Sequence, residues 1–331
     1  MIFDAHSDFG LYVFKEHLRN NFGVLSQDHY SKLMAANVFV EVLTVGGDFT
    51  FWGIDFSKKE TVLKTISAVK KEIEMSDGKF FLIGSKSDFK NLKTGSIGII
   101  LALEGAMPLF GTKNSLDEFY LNGLRSIILT TNSDNPFSGG CSTPEIGLTI
   151  AGKELLKQIN AMQIILDLAH ISERSFFEIS DSFDKSFIVS HANVKSICDH
   201  KRNLTDKQLI RLVEHDGVLG MSLVSLFIEN HHSKRTTLDM LIKHFHYTSE
   251  LVGARCIGIG PDFMNYMQDT LSDYITDHNL PITMFTYPQG IESVEDLQKI
   301  KSLLNNNFNE LETEAILFSN FERVYKNVLT V

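Results

Sequence analysis

Strand-length apolar runs rich in β-branched residues alternate along the chain with stretches whose apolar positions recur at helical spacing. The runs are Met1–Ala5, Val38–Val45, Phe80–Ile83, Ile97–Leu103, Ser126–Thr130, Gln163–Leu168, Phe187–Ser190, Val218–Leu223 and Cys256–Gly260. The pattern between them predicts amphipathic helices over Lys58–Met75, Ile150–Ala161, Glu173–Ile179, Thr205–His215 and Thr237–Val252. Thr205 with Gln208 three residues on is a capping-box signature for one helix start. Strands and helices alternating at this pace predict an α/β fold with a parallel sheet inside and helices outside. Nine candidate strands over roughly 260 residues suit a (β/α)8 TIM-like barrel, with one strand to spare.

The chain carries no repeat, no low-complexity tract and no Pro/Gly linker, so residues 1–331 read as a single domain. Its acidic end, 292–331, reads as helices packed on the outside, with Leu297, Ile300, Leu303 and Leu304 and then Phe318, Phe321, Val324 and Leu329 as their apolar stripes. A net charge of −10 argues against nucleic acid as the main partner, which favours a basic face. Small anionic substrates stay open, because an acidic total can surround a local cationic pocket. Cys141, Cys198 and Cys256 are scattered and odd in number, poor material for a disulfide framework. No run is long enough to span a membrane, and the N-terminus has no basic region followed by an apolar stretch. The expected location is cytoplasmic, without a membrane partner.

Candidate chemistry begins at Asp4-Ala5-His6-Ser7-Asp8, where strand spacing projects His6 and Asp8 from one face. An imidazole beside a carboxylate is a half-site for a divalent metal. Four later apolar runs end on or just before another ligand type: Glu104, His170, His191 and Asp262. In an α/β barrel these strand ends gather on one rim. Taken singly, each has an ordinary reading: His6 at a core edge, His170 and His191 structural or exposed, Asp262 a cap. Glu104 is costly to bury unpaired at the end of an apolar strand, unless an ion pair holds it. Together they describe a rim able to hold two metals sharing a bridging carboxylate.

The stretches Asp167-Leu168-Ala169-His170-Ile171-Ser172, Val189-Ser190-His191-Ala192 and Cys198-Asp199-His200-Lys201-Arg202-Asn203-Leu204-Thr205-Asp206 resemble the membrane dipeptidase (renal dipeptidase) family of the amidohydrolase superfamily. The opening His-x-Asp pair, Leu103-Glu104-Gly105, Gly147-Leu148-Thr149, Gly258-Ile259-Gly260-Pro261-Asp262-Phe263 and the closing Asn320-Phe321-Glu322-Arg323-Val324 extend the resemblance over nearly the whole chain. It implies two Zn2+, or other divalent ions on the same ligands: His6 and Asp8 on one, His170 and His191 on the other, and Glu104 on both. It implies a dipeptide substrate, in some relatives with a C-terminal D-residue, attacked by a metal-bridging hydroxide. Asp262 becomes the acid/base that also meets the substrate amino group. Arg202 becomes the anchor for the substrate carboxylate, a role guanidinium fills bidentately. A homodimer is the expected assembly, since members are often dimers.

Three departures set this chain apart from that pattern. The family usually reads Leu-Thr-His where this chain has Leu129-Thr130-Thr131-Asn132, and Thr131 cannot carry the charge of a histidine that steadies the scissile carbonyl. Ser222 stands where many relatives have Asn, at another substrate contact, and Met264-Asn265 replaces the usual Asp-Gly after Asp262-Phe263. The loop Leu11–Ser31 and the segment Phe49–Phe56 with Trp52 read as rim elements or as simple packing. The expected activity is a metallo-dipeptidase. A related amidohydrolase acting on N-acyl amino acids or other amides, and a metal-binding non-catalytic homologue, are its alternatives.

Overall fold

All nine apolar runs become strands of one parallel sheet in the computed structural model, which describes residues 1–112, 114–230, 235–267 and 286–330. They are β1 (Ile2–Ser7), β2 (Val38–Gly47), β5 (Phe80–Leu82), β6 (Ile97–Glu104), β7 (Leu124–Ile128), β8 (Ile165–Asp167), β9 (Ile188–Ala192), β10 (Val218–Met221) and β11 (Ile257–Ile259), with β3 (Thr50–Phe51) and β4 (Ile54–Asp55) forming a separate hairpin. Eight of the nine close a barrel in the order β2-β1-β11-β10-β9-β8-β7-β6, sealed by pairing of β6 with β2. The spare strand, β5, pairs with the start of β6 (Phe80 with Ile97, Leu82 with Ile99), and β7 takes over that edge from Leu101 onward. Every residue of β6 is buried, as expected of a parallel strand covered on both faces.

Helices form where the periodicity predicts them: Lys59–Glu74, Ile150–Met162, Glu173–Ser180, Asp206–Glu214 and Leu238–Val252. The capping box is present, with the Thr205 hydroxyl accepting from the Gln208 amide and the Gln208 side chain accepting from the Thr205 amide at 2.9 Å. Leu11–Ser31 differs from the expected loop. Helix Phe9–Leu18 fills most of its first half, and a π-helical turn Leu25–His29 leads into helix Tyr30–Ala36. Phe49–Phe56 holds the hairpin, whose turn places Trp52 and Gly53 both at positive φ, the geometry that matches strand twist.

The C-terminal helices occupy two settings. Gln298–Asn305 buries Ile300 and Leu304 in the larger apolar cluster. Asn320–Val328 instead lies across the N-terminal end of the barrel. There Phe318, Phe321, Val324 and Tyr325 join the interior side chains Phe3, Ala5, Val40, Ile100, Ile165 and Val218 in one cluster. The Phe3 ring lies 5.4 Å from Phe321 and 5.1 Å from Tyr325, and any Cβ on Gly258 would strike the Phe321 ring. This plug leaves the C-terminal strand ends as the mouth of the barrel. All three cysteines are buried and unpaired, and among the described residues no helix is long and apolar enough to cross a membrane.

Candidate active site

Six chemistry-bearing side chains meet at that mouth because each sits at or just beyond a strand end. His6 is near the end of β1 with Asp8 following it, Glu104 ends β6, His170 follows β8, His191 is in β9, and Asp262 follows β11. His6 Nε2 lies 3.7 Å from Asp8 Oδ1, 3.7 Å from Glu104 Oε2 and 3.9 Å from Asp262 Oδ1. The other Glu104 oxygen, Oε1, is 2.9 Å from His170 Nε2, which is in turn 2.8 Å from His191 Nε2. The His6 and His191 rings stack with centroids 3.8 Å apart. Glu104 therefore faces a different histidine with each oxygen. Two triplets, His6-Glu104-His191 and His6-Asp8-Asp262, bring their ligand atoms within 4.8 Å of one another.

Burial sets the electrostatics of this cluster. Burial, with Arg202 adding to it, holds the His6 pKa down to about 3 and keeps His170 well below the ordinary histidine value. His191 is also well below it, through burial and then His6. Burial pushes Asp8 up to about 7, with Asp262 adding to the shift, and Asp262 up to about 6 against the opposing pull of Arg202. Glu104 is raised well above the usual carboxylate range by burial and then by Asp8 and Asp262. The imidazoles are thus neutral and able to ligate.

Their tautomers follow from the outer hydrogen bonds. His170 Nδ1 is 3.0 Å from Asn132 Oδ1, which can only accept, so Nδ1 carries the proton and Nε2 presents a lone pair. The Ser190 hydroxyl, 2.8 Å from His191 Nδ1, is able to accept from the same tautomer. In the tautomer that ligation requires, the two Nε2 lone pairs face each other across 2.8 Å, beside carboxylates of which Asp8 Oδ1 is buried with no hydrogen-bond partner among the described residues. Cations between its members would offset the cost of burying such a set in low dielectric. Imidazole with carboxylate is a donor set that suits zinc, and the residues fit a divalent metal.

A supporting layer not assigned from the sequence holds the ligands in place. Asp167 Oδ1 accepts from the amides of Ala169 and Ser190, both at 3.0 Å, tying the loop of His170 to the strand of His191. Asp4 Oδ1 accepts the His6 amide at 3.0 Å. His170 and Asp262 are themselves held at φ 65° and 59°, a conformation uncommon outside glycine that concentrates at functional sites. Any Cβ on Gly220 or Gly260 would run into the Ser190 carbonyl, so both glycines are needed for the strands to approach behind His191. Asn132→Ala, by freeing the His170 tautomer, is expected to weaken metal affinity or turnover about 10–100-fold. Metal titration with parallel kinetics checks this.

The remaining site candidates divide. Arg202 is buried beside the cluster, where Nη2 donates to the His191 carbonyl at 3.0 Å and Nη1 is buried without a partner among the described residues. Thr131 is half-buried, and its hydroxyl donates to the Glu104 carbonyl at 2.6 Å, which commits it to bracing the end of β6. Ser222 is fully buried and its hydroxyl accepts from the Val224 amide at 3.3 Å, within its own turn. The structure gathers the five expected ligands and Asp262, seats Arg202 next to them, and gives Thr131 and Ser222 backbone partners.

A family model described as membrane dipeptidase (peptidase family M19) matches residues 1–281. An uncharacterized dipeptidase of Schizosaccharomyces pombe is 27% identical, the match covering 98% of this chain and 80% of that one. Among solved structures, dipeptidase AC, a metallopeptidase of family M19, superposes with a TM-score of 0.84 at 19% identity, over 100% of this chain and 99% of the other. A Rhodobacter sphaeroides metallopeptidase liganded with a phosphinate mimic of the dipeptide L-Ala-D-Ala gives 0.82 at 19% identity, over 99% of each chain.

Proposed function

Because the chain belongs to the membrane dipeptidase family, peptidase family M19, we propose that it hydrolyses dipeptides at a binuclear zinc centre. The observation that carries this reading is Glu104, whose two oxygens face His6 on one side and His170 on the other. His6 and Asp8 would hold one ion and His170 and His191 the other, with Glu104 shared. Ions so held supply Lewis acidity toward a carbonyl oxygen and bring the pKa of water near neutrality.

The chain's own groups do the rest. Asp262, lifted by burial toward neutral pH, takes a proton at its carboxylate and returns it to the leaving amine. The same carboxylate meets the ammonium group of a dipeptide with a free N-terminus. Arg202 offers its unpartnered Nη1 to the substrate's C-terminal carboxylate, a charge-assisted contact in a water-poor pocket. Because the Thr131 hydroxyl is taken by the Glu104 carbonyl, Thr131 does not supply the carbonyl-steadying donor. Absence of one such donor typically lowers kcat by about 10²–10³. A C-terminal D-residue is part of the proposal, supported by the L-Ala-D-Ala mimic in the Rhodobacter sphaeroides relative.

The test is hydrolysis of L-L and L-D dipeptides and their N-acylated counterparts by metal-quantified protein, with a chelated control. Chelator-sensitive cleavage of free dipeptides, with rejection of the N-acylated ones, is the expected result. Cleavage of N-acyl amino acids alone would move the chain to the wider amidohydrolase chemistry. Two bound ions with no hydrolysis would make it a metal-binding homologue without catalysis.

A further inference from the structure

A second polar pocket lies outside the barrel wall, behind β1 and β2. Asp4 and Glu41 are register partners on these strands. Their neighbours Phe3, Ala5, Val40 and Val42 all face the barrel interior, so alternation turns both carboxylates outward. There they line a cavity of about 510 Å³. Glu41 is completely buried. His29 Nε2 meets its Oε1 at 2.8 Å, while its Oε2 has no hydrogen-bond partner among the described residues. The His29 ring is itself fixed flat against Phe9, 3.8 Å away at 6°.

Glu41 is not alone in this state. Asn265 Oδ1, Tyr266 Oη and Glu295 Oε2, from two further segments, line the same cavity and are also buried without a partner among the described residues. Three of these four atoms can only accept hydrogen bonds. Four carboxylates line the cavity (Asp4, Asp28, Glu41 and Glu295) against His29 and Lys32. Its wall includes Phe9 and Tyr12 with Tyr266, the last edge-on to Phe9 at 5.2 Å, an apolar surface along which a carbon chain can lie. The missing complement is a group with several N–H donors, positive charge and an apolar body.

We propose that this pocket binds an organic cation of the diamine or guanidino-amine class, with one ammonium or guanidinium on Glu41 and the carbon chain along the aromatic wall. A bare metal ion fits less well. Among the described residues, triplets of metal-ligating atoms close enough to share an ion occur only around His6, whereas the acceptors here are spread around a large cavity. The site is independent of the dipeptidase reading, since none of its acceptors is a proposed metal ligand.

The experiment is calorimetric titration of agmatine and of 1,5-diaminopentane into the metal-loaded full chain, with KCl and MgCl2 as inorganic controls. Saturable binding of at least one diamine is expected, weakened at least about tenfold in Glu41→Gln, the scale of a lost hydrogen bond to a charged group. That variant keeps an acceptor for His29 and turns the free oxygen into an opposing donor. Glu295→Gln, at the half-buried edge, is expected to weaken binding less and serves as the reading if Glu41→Gln does not fold. Absence of saturable binding by either diamine would overturn the proposal, as would affinity unchanged from wild type in both variants, which places the ligand elsewhere. Equal binding of K+ or Mg2+ would overturn the organic-cation assignment.

Discussion

Asp262→Asn is expected to leave the bound metal unchanged and to lower kcat by about 10²–10⁴, the usual worth of a positioned proton-transfer group. The substitution keeps the shape of the side chain and one hydrogen-bonding oxygen, so the pocket is not emptied. Asn also tolerates the left-handed backbone that position 262 adopts at φ 59°, so the loop after β11 is not strained. Lost is the capacity to take and return a proton. The carboxylate contact with a substrate ammonium is lost as well, so KM for free dipeptides is expected to rise alongside the fall in kcat. Metal analysis beside steady-state kinetics separates this outcome from a site that has come apart. An Asn variant turning over at the wild-type rate would remove Asp262 from the proton path.

The barrel was legible because its strands are buried on both faces, which leaves apolar runs such as Ile97–Leu103 with no competing periodicity. Helices with one wet face were legible for the complementary reason. Phe9–Leu18 was not, because it is covered nearly all round, with Phe9, Gly10, Leu11, Val13, Phe14, Lys15 and Glu16 buried, and its amphipathic signal is weak. Asn320–Val328 shows a clear apolar stripe, yet a stripe does not say which surface it will meet; the ring of Phe3 at the open barrel end decides that. The same division holds in the site. Ligand types at strand ends can be read from order along the chain, and the structure does bring them together. The roles of Asn132 and Asp167 depend on which loops close over which strands, and only the folded chain specifies this. Thr131 was legible as a departure, but its bond to the Glu104 carbonyl was not.

Glu104→Gln is expected to shift stability in opposite directions with and without metal. In the chelated protein Glu104 is buried against Asp8 and Asp262, and its pKa is raised well above the ordinary carboxylate value by burial and those two neighbours. A carboxyl whose pKa is raised by folding supports the folded state below its unfolded pKa and loses that support as the pH climbs past it. At neutral pH Glu104 therefore works against folding when no cation is present. Gln removes that opposition, and the chelated variant is expected to be more stable than the chelated wild type by about 1 kcal/mol or more. With zinc the sign reverses. A neutral amide oxygen is a poor shared ligand between His6 and His170, so the variant retains fewer ions. Occupancy at a hundred times Kd stabilises by about 2.7 kcal/mol, and that gain shrinks as the site weakens. Loss of a shared ligand is expected to reduce kcat by at least about 10², the upper range for disturbing a metal's surroundings. Thermal melts of both proteins in chelator and in zinc, read with metal content and kcat, form the test. If the chelated variant melts lower than chelated wild type, then Glu104 acts as a structural hydrogen-bond acceptor for His170, and its reading as an anion held in place for metal fails.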